Sequence, residues 1–342
     1  SGQTGLSGMK LQGVPARETG AVAPPPLVTM AEKSWSPLMY SFGLVGAKLA
    51  LTLVGFLPLV CLGILAVGTF GIESAAAVNW IFNPNSLTIE IAFAVMSLLA
   101  SLLIIQVVFA AFLIRCLGSI KPGTYSQSGW TSIKVWLKEG LLEWSGLWLS
   151  GSLFWPSWLR LAGMNVGKNC EISTISDVIP ELVTIGEQSF FADGIYLGNP
   201  HFHQGVMHCE KVELGRNTFI GNHAVIPAGS KLPEDILLGI CTVADATVIK
   251  PGTNWFGHPA FELPRREIVE CERALTHEPS LPRYLSRLFW ESARFTLPAL
   301  PFIAMLIWLK AAQFYGQEFT DLVFYGLVLP GISIAMASGL LM

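Results

Sequence analysis

Charge is what this chain has least of. Asp, Glu, Lys and Arg make up 13% of its 342 residues, about half of the one-quarter usual in soluble domains. With 24 acidic and 21 basic side chains the formal net charge is −3. No basic RNA- or DNA-binding motif occurs, so nothing recommends nucleic acid as a partner. Cysteine is also sparse: six are scattered at Cys61, Cys116, Cys170, Cys209, Cys241 and Cys271. None forms a CxxC or zinc-type spacing, which speaks against a disulfide framework or structural zinc and for reduced thiols. Residues 1–35 lack an apolar period and are rich in Gly, Pro and Ala, the composition of a flexible linker. The chain opens without Met and stops inside a hydrophobic run, so a piece of a longer protein is expected.

Apolar sequence takes the place of charge. Hydrophobic residues make up 52% of the chain and the mean hydropathy is +0.53. Four segments, Phe42 to Phe70, Ile89 to Leu113, Phe295 to Ala312 and Leu322 to Met342, meet the requirement of about 20 apolar residues for a bilayer crossing. A buried core helix is the alternative for each, but the longer ones exceed an ordinary core helix. Phe42 lies too far from the start for a signal peptide. Lys48 and Gln106 are polar positions inside these spans; Lys48 reads as a side chain that snorkels to the interface.

Basic residues set the orientation. Lys10, Arg17 and Lys33 precede the first span, and Gly71 to Ser86 has neither Lys nor Arg. Arg115, Lys121, Lys134 and Lys138 follow the second span, and a run of arginines from Arg265 to Arg294 precedes the third. The positive-inside rule places the middle of the chain on the cytoplasmic side of an integral membrane protein. Six tryptophans between Gly129 and Leu161 (Trp130, Trp136, Trp144, Trp148, Trp155 and Trp158) read as interfacial helices, where an indole keeps its ring apolar and its N–H wet. Packing against the spans is the alternative.

The middle of the chain carries a repeat. Every sixth residue from Leu214 gives Leu214, Ile220, Ile226, Leu232, Leu238 and Ala244, with Gly215, Gly221 and Gly239 following three of them. A fixed six-residue period predicts a left-handed parallel β-helix of about eighteen residues per coil, aliphatic side chains stacked inward. Glycine fits its corners through positive φ or close backbone approach. An antiparallel sandwich would show a period of two with turns every 8 to 12 residues instead. The same phase occurs at Val166 and Ile172 and slips by one residue at Ile185 to Ser189, read as a short corner loop.

The fold class is therefore a mixed membrane protein, a left-handed parallel β-helix flanked by transmembrane helices. It divides into a linker at 1–35, a helix pair at 36–118, Trp-rich interfacial helices at 119–162, the β-helix at 163–266, an amphipathic connector at 267–294 and a second, truncated helix pair at 295–342.

A polar insert, 197–211, interrupts the repeat and holds His201, His203 and His208. A loop on a rigid scaffold is the natural place for function. Acyl transfer from a thioester to an amine needs a base that accepts a proton as the new bond forms, and imidazole suits that near neutral pH. A carboxylate would orient the imidazole; Asp177, Glu181 and Asp193 are near enough in sequence. A lone histidine is more often structural than catalytic, which is the ordinary expectation for His203, His208, His223 and His258.

Several runs carry a resemblance: Asp177-Val178-Ile179-Pro180-Glu181-Leu182-Val183-Thr184-Ile185-Gly186, Asn199-Pro200-His201-Phe202-His203-Gln204-Gly205, Ile220-Gly221-Asn222 and Trp255-Phe256-Gly257-His258-Pro259-Ala260. They resemble the hexapeptide acyltransferase superfamily. The order of spans, repeat domain and spans resembles, more narrowly, the membrane-embedded carboxy-terminal region of poly-lysine synthetase-like nonribosomal peptide synthetases. The resemblance implies His201 as general base and Asp177 as the group that orients it or binds an amine. It implies Asn199, His203, Asn222 and Trp255 as substrate-binding residues and no metal. It further implies coenzyme A or a phosphopantetheine-linked carrier thioester as co-substrate with no tightly bound cofactor, an amine of an amino acid or peptide as acceptor, membrane lipid as partner, and adenylation and carrier domains upstream in the same protein. Pro200 stands where the family commonly has Thr, so a non-catalytic scaffold copy within a tandem array is the second reading. A third is a γ-carbonic anhydrase-like metal enzyme, but Asn222 occupies the usual histidine position and His223 falls one place late, on the other face of a strand.

Overall fold

The six-residue period becomes three strips of parallel strand stacked around a triangular core. The computed structural model describes residues 8–12, 17–21, 33–70, 89–264, 271–275 and 279–297, with isolated positions from 299 to 332. They divide into two compact units, Ser1–Gly55 with Val107–Glu291 and Phe56–Gln106 with Ser292–Met342. The β-helix lies wholly in the first.

One face of the prism stacks Asn165–Val166, Val183–Ile185, Val212–Leu214 and Lys231–Leu232 in parallel register. A second stacks Glu171–Ile172, Phe190–Phe191, Phe219–Ile220, Leu237–Leu238 and Asn254–Phe256, closed by antiparallel Phe261–Glu262. The third stacks Ile175–Ser176, Ile195–Leu197 and Val225–Ile226, extended by a bridge to Val243. The aliphatic positions all turn inward: Ile172, Phe191, Ile220, Ile226 and Leu238 are fully buried.

Paired positions Val166, Ile185, Leu214 and Leu232 are separated by 19, 29 and 18 residues. The last is one plain coil, and the 29-residue coil is the same coil carrying the histidine insert. The 19-residue coil holds the slipped residue, but not at Ile185 to Ser189. It lies earlier, at the corner between Ser176 and Val183, where Pro180–Leu182 turns as a 3₁₀ helix.

Close approach, rather than positive φ, explains the glycines after the aliphatic positions. A Cβ on Gly186 would sit inside the backbone of Gly215 and Arg216 on the next coil, and one on Gly215 inside that of Pro233 and Glu234. Positive φ falls on the turn residues instead, Asn169, Gln188, Asn217 and Asp235, at 53° to 60°. Asn and Asp tolerate that region better than most residues with a Cβ.

Helices precede and follow the prism in the chain. Helix α1 (Pro37–Gly55) has no buried residue, and α2 (Leu57–Phe70) follows a break at Phe56. Pro58, which has no N–H to donate, sits in the first turn of α2, where that loss is tolerated. The sequence reads this stretch as one span. Helix α3 covers Ile89–Cys116. Two stretches, Pro37–Cys61 and Met96–Cys116, are long and apolar enough to cross a membrane. The expected third span is described only in part, and the fourth lies largely outside the described residues.

Helix α4 (Trp130–Leu149) and helix α5 (Trp155–Ala162) carry the tryptophan-rich stretch. Tyr40 of α1 shares a hydrogen bond with Ser132 of α4 (3.1 Å), and the Lys48 ammonium lies 5.7 Å from the centre of the Trp136 ring. Lys48 thus has a cation–π partner. Trp130, Trp136 and Trp144 keep 36% to 45% of their surface exposed, whereas Trp155 and Trp158 are buried at 1% and 5%. That second pair stacks with 5.0 Å between ring centres, and Trp155 donates to the Ser173 carbonyl. These two cap the first coil of the prism instead of facing outward. Near the start, Met9–Gln12 and Arg17–Ala21 form an antiparallel hairpin where composition reads as linker.

Candidate functional site

The insert folds as a β-hairpin thrown out from one edge of the prism. His201–His203 pairs with Val206–Cys209 in the register His201 to His208, Phe202 to Met207 and His203 to Val206. Its two-residue turn uses Gln204 and Gly205, both at positive φ, which matches the right-handed twist of a tight hairpin. The second strand pairs also with Gly123–Ser126, giving a three-stranded platform. Side chains alternate across it. Met207 and Cys209 point inward and are buried with Ile120, Val135, Ile179 and Leu182. His201, His203 and His208 share the opposite face, with His201 6.2 Å from His203 and 6.4 Å from His208 between ring centres. Thr124 Oγ1 lies 3.1 Å from Nδ1 of His208.

Of the three carboxylates near the insert in sequence, geometry selects one. Asn199 Nδ2 donates to Asp177 Oδ2 at 3.0 Å, so the base of the hairpin is tied to the corner of the preceding coil. Burial pushes the Asp177 carboxyl up. Glu181 is committed elsewhere: it accepts from the Ile120 N–H (2.7 Å) and pairs with the buried Lys138 of α4. Asp193 accepts from Ser173 and Thr174 at another corner.

Asn222 also lies at that other corner, where its side chain accepts from the Asp193 N–H at 3.0 Å. Trp255 is 7% exposed and donates to Thr253; it packs in the last coil. Thus Asp177 and Asn199 are joined at the base of the hairpin, His201 and His203 share its outer face, and Asn222 and Trp255 lie elsewhere on the prism. His223 is a turn residue at φ 56°, its ring filling the space beside Gly194. Among the described residues no group of three His, Cys, Asp or Glu side chains is arranged to hold a metal ion.

Two features were not anticipated. Glu139 of α4 is pushed from 4.5 up to about 8, first by burial, then by the negative charges of Asp177 and Glu143. It keeps its proton at neutral pH and adds an acid beside Asp177. Burial, followed by Glu139 and Glu181, pushes the Cys209 thiol up to about 12, which removes it as a thiolate nucleophile. No local motif marks Glu139, because its surroundings come from a contact between helix and coil. The second feature is a cleft of about 340 Å³ lined by Glu210, Gly229, Ser230, Asp245, His258 and Pro259 among others. It lies on the same prism edge as the hairpin, at the lower end of the size range for small-molecule sites.

No protein-family model matches the chain. A curated relative does: the delta-poly-L-ornithine synthetase of Acinetobacter baumannii (strain AB307-0294) is 37% identical over 226 residues, which is 64% of this chain and 17% of the synthetase. The chain is similar to a poly-amino-acid synthetase. The likeness to that kind of enzyme, read above from the order of spans and repeat domain, is borne out, and the chain spans less than a fifth of the relative's length. Among solved structures, galactoside acetyltransferase in complex with coenzyme A overlays with a TM-score of 0.32 at 16% identity, covering 42% of this chain and 86% of that one. The maltose O-acetyltransferase from Clostridium difficile 630 gives 0.28 at 16% identity, covering 43% and 94%. Overlays this loose carry no functional argument. The parallel β-helix rests on the strand pairing itself.

Proposed function

We propose that this chain is an acyltransferase module of a membrane-embedded peptide synthetase, forming an amide between a thioester-bound aminoacyl group and an amine. The observation that carries the reading is the placement of His201 on a rigid hairpin whose base is fixed by the Asn199–Asp177 hydrogen bond (3.0 Å). His201 takes the proton from the attacking amine as the nitrogen bonds to the thioester carbonyl carbon; collapse of that adduct expels the thiolate, which takes up the proton. Asp177 and Asn199 hold the acceptor amine or steady the imidazole's surroundings, and His203 borders the same face. Protonated Glu139 keeps the Asp177 neighbourhood from accumulating two negative charges. The donor is a carrier-bound phosphopantetheine or coenzyme A thioester whose acyl end lies along the prism edge that holds the cleft. The coil winds left-handed, the unit is held on the cytoplasmic side by membrane-spanning helices, and adenylation and carrier domains belong to the full-length protein.

The test is transfer of radiolabelled aminoacyl groups from a thioester donor to amine acceptors by the reconstituted full-length protein and its His201→Ala variant. Loss of a general base lowers turnover by about a hundredfold or more. Unchanged turnover by a folded variant makes this copy a scaffold, the reading to which Pro200 in place of Thr lends weight.

A further inference from the structure

Helix α6 (Leu281–Ala293) is turned the wrong way round for water. Its polar edge is bound to the protein. Arg287 donates to Glu291 one turn on (2.6 Å), to Glu171 of the β-helix (3.1 Å) and to the Gly151 carbonyl, while Glu291 accepts from the Leu153 N–H (2.7 Å). At about 100° per residue, Leu285 and Phe289 stand two positions before Arg287 and Glu291 and so lie nearly opposite the anchored edge. With Leu281 they form an i, i+4, i+8 stripe, exposed at 68% (Leu281), 51% (Leu285) and 66% (Phe289). Trp290, 70% exposed, packs edge-on against Phe289 with 5.5 Å between ring centres. A surface helix of a water-soluble protein buries such a stripe; this one leaves it exposed while its Arg287–Glu291 edge is held by the protein.

We infer that α6 is an interfacial membrane helix, its Leu281–Leu285–Phe289 stripe sunk at the headgroup–acyl boundary of the bilayer. Two observations single out lipid as the occupant. An exposed Trp–Phe pair is the composition favoured at that depth. Helix α1 of the same unit is equally outward-facing and apolar, with Leu38, Phe42 and Leu53 at least 70% exposed. Because the polar edge of α6 is clamped to Glu171 and Leu153, the helix fixes the first coil, and with it the Asp177 corner, at the membrane surface. Intermediates that stay at the bilayer would then meet the site at constant height. The inference rests on the membrane reading above.

The experiment places nitroxide labels, one at a time, at Leu285→Cys and Phe289→Cys in full-length protein with the native cysteines replaced by Ser, reconstituted in phosphatidylcholine–phosphatidylglycerol vesicles. Labels at Val45→Cys of α1 and at Lys231→Cys, a side chain 83% exposed on the β-helix, serve as references. Collision of each label with oxygen and with a water-soluble nickel chelate is measured. The expected result is an oxygen-to-nickel ratio at 285 and 289 about tenfold above that at 231, as for side chains 5–10 Å below the headgroups. Nickel access at 285 and 289 with lipid-like values at 45 overturns the inference and leaves the membrane reading standing. Water-like values at 45 as well overturn both. Shielding of 285 and 289 from both reagents means that protein covers the stripe, which also overturns it.

Discussion

Glu139 makes the stability of this domain depend on pH in a direction opposite to the usual carboxylate case. Its carboxyl, half-buried on α4, is raised from 4.5 to about 8. In the unfolded chain the proton leaves near pH 4.5; in the folded chain it stays until about pH 8. Between those values the folded state binds more protons, so stability falls as pH rises. The contribution is fully present below about pH 4.5 and gone above about pH 8. A pKa unit corresponds to about 1.4 kcal/mol, which makes the whole interval ~5 kcal/mol at most. Water reaching a partly exposed carboxylate reduces that to roughly 1–3 kcal/mol. Glu139→Gln keeps the shape of the protonated side chain and removes the titration. Its melting temperature, followed by tryptophan fluorescence in detergent micelles at a fixed scan rate, should equal that of the parent at pH 5 and exceed it by about 2–8 °C at pH 8.5. Glu143→Gln, at an exposed position, should leave the slope nearly unchanged. Parallel curves for the parent and Glu139→Gln would refute the burial argument and the proximity to Asp177 behind it.

Other perturbations follow from single contacts. Lys138→Met strands the half-buried Glu181 and should cost about 3 kcal/mol, read as a large drop in melting temperature, whereas Lys138→Met with Glu181→Leu should recover most of it. Gly186→Ala drives a methyl group into the Gly215–Arg216 backbone; the expected result is failure to fold, seen as aggregation on size exclusion, and a well-folded variant would contradict the coil spacing. Asp177→Asn should lower aminoacyl transfer by about a hundredfold while the melting temperature shifts by only a few degrees. Thr218→Val removes the buried hydrogen bond to Ser189 (2.9 Å) and should cost about 1–3 kcal/mol, measurable by the same thermal assay.

The prism was readable from sequence because its physics is local and periodic: an inward aliphatic residue every six positions and a glycine where the next coil crosses overhead. The hairpin was readable as an interruption of that period. The slipped residue was displaced by one corner in the reading because Ile185-Gly186 looks like an ordinary repeat unit; the irregularity is the 3₁₀ turn at Pro180–Leu182, which inward packing of Ile179 and Leu182 conceals. Asp177 and Asn199 were legible separately, from the family resemblance, and only the fold shows that they are hydrogen-bonded to each other. That Asn222 stands at a different corner from the hairpin was not legible, because a motif match records sequence order, not which of three prism edges a corner occupies. Glu139 left no trace at all, as its acidity arises from a helix 38 residues away from Asp177 in the chain. Trp155 and Trp158 share their composition with the exposed tryptophans of α4, and only the close of the first coil beneath them decides that they are buried.

The hairpin's rigidity comes from two independent attachments, and this bears on why histidine is placed there. Its inward side is packed on Ile179, Leu182 and Val135, joining it to the irregular corner and to α4. The Lys138–Glu181 pair joins that same corner and helix a second time, and the Ile120 N–H is a second partner of the carboxylate. A buried ion pair contributes little net stability over an apolar replacement, but it specifies one arrangement. Here the arrangement specified is the position of α4 against the first coil, which sets both where Glu139 meets Asp177 and where the histidine face stands. A bare β-helix edge is flat and presents mostly backbone. By extending one coil into a hairpin and bracing its reverse side against α4, the chain raises imidazoles above that edge on a braced support, the condition the proposed general base must meet to share a proton along a short hydrogen bond.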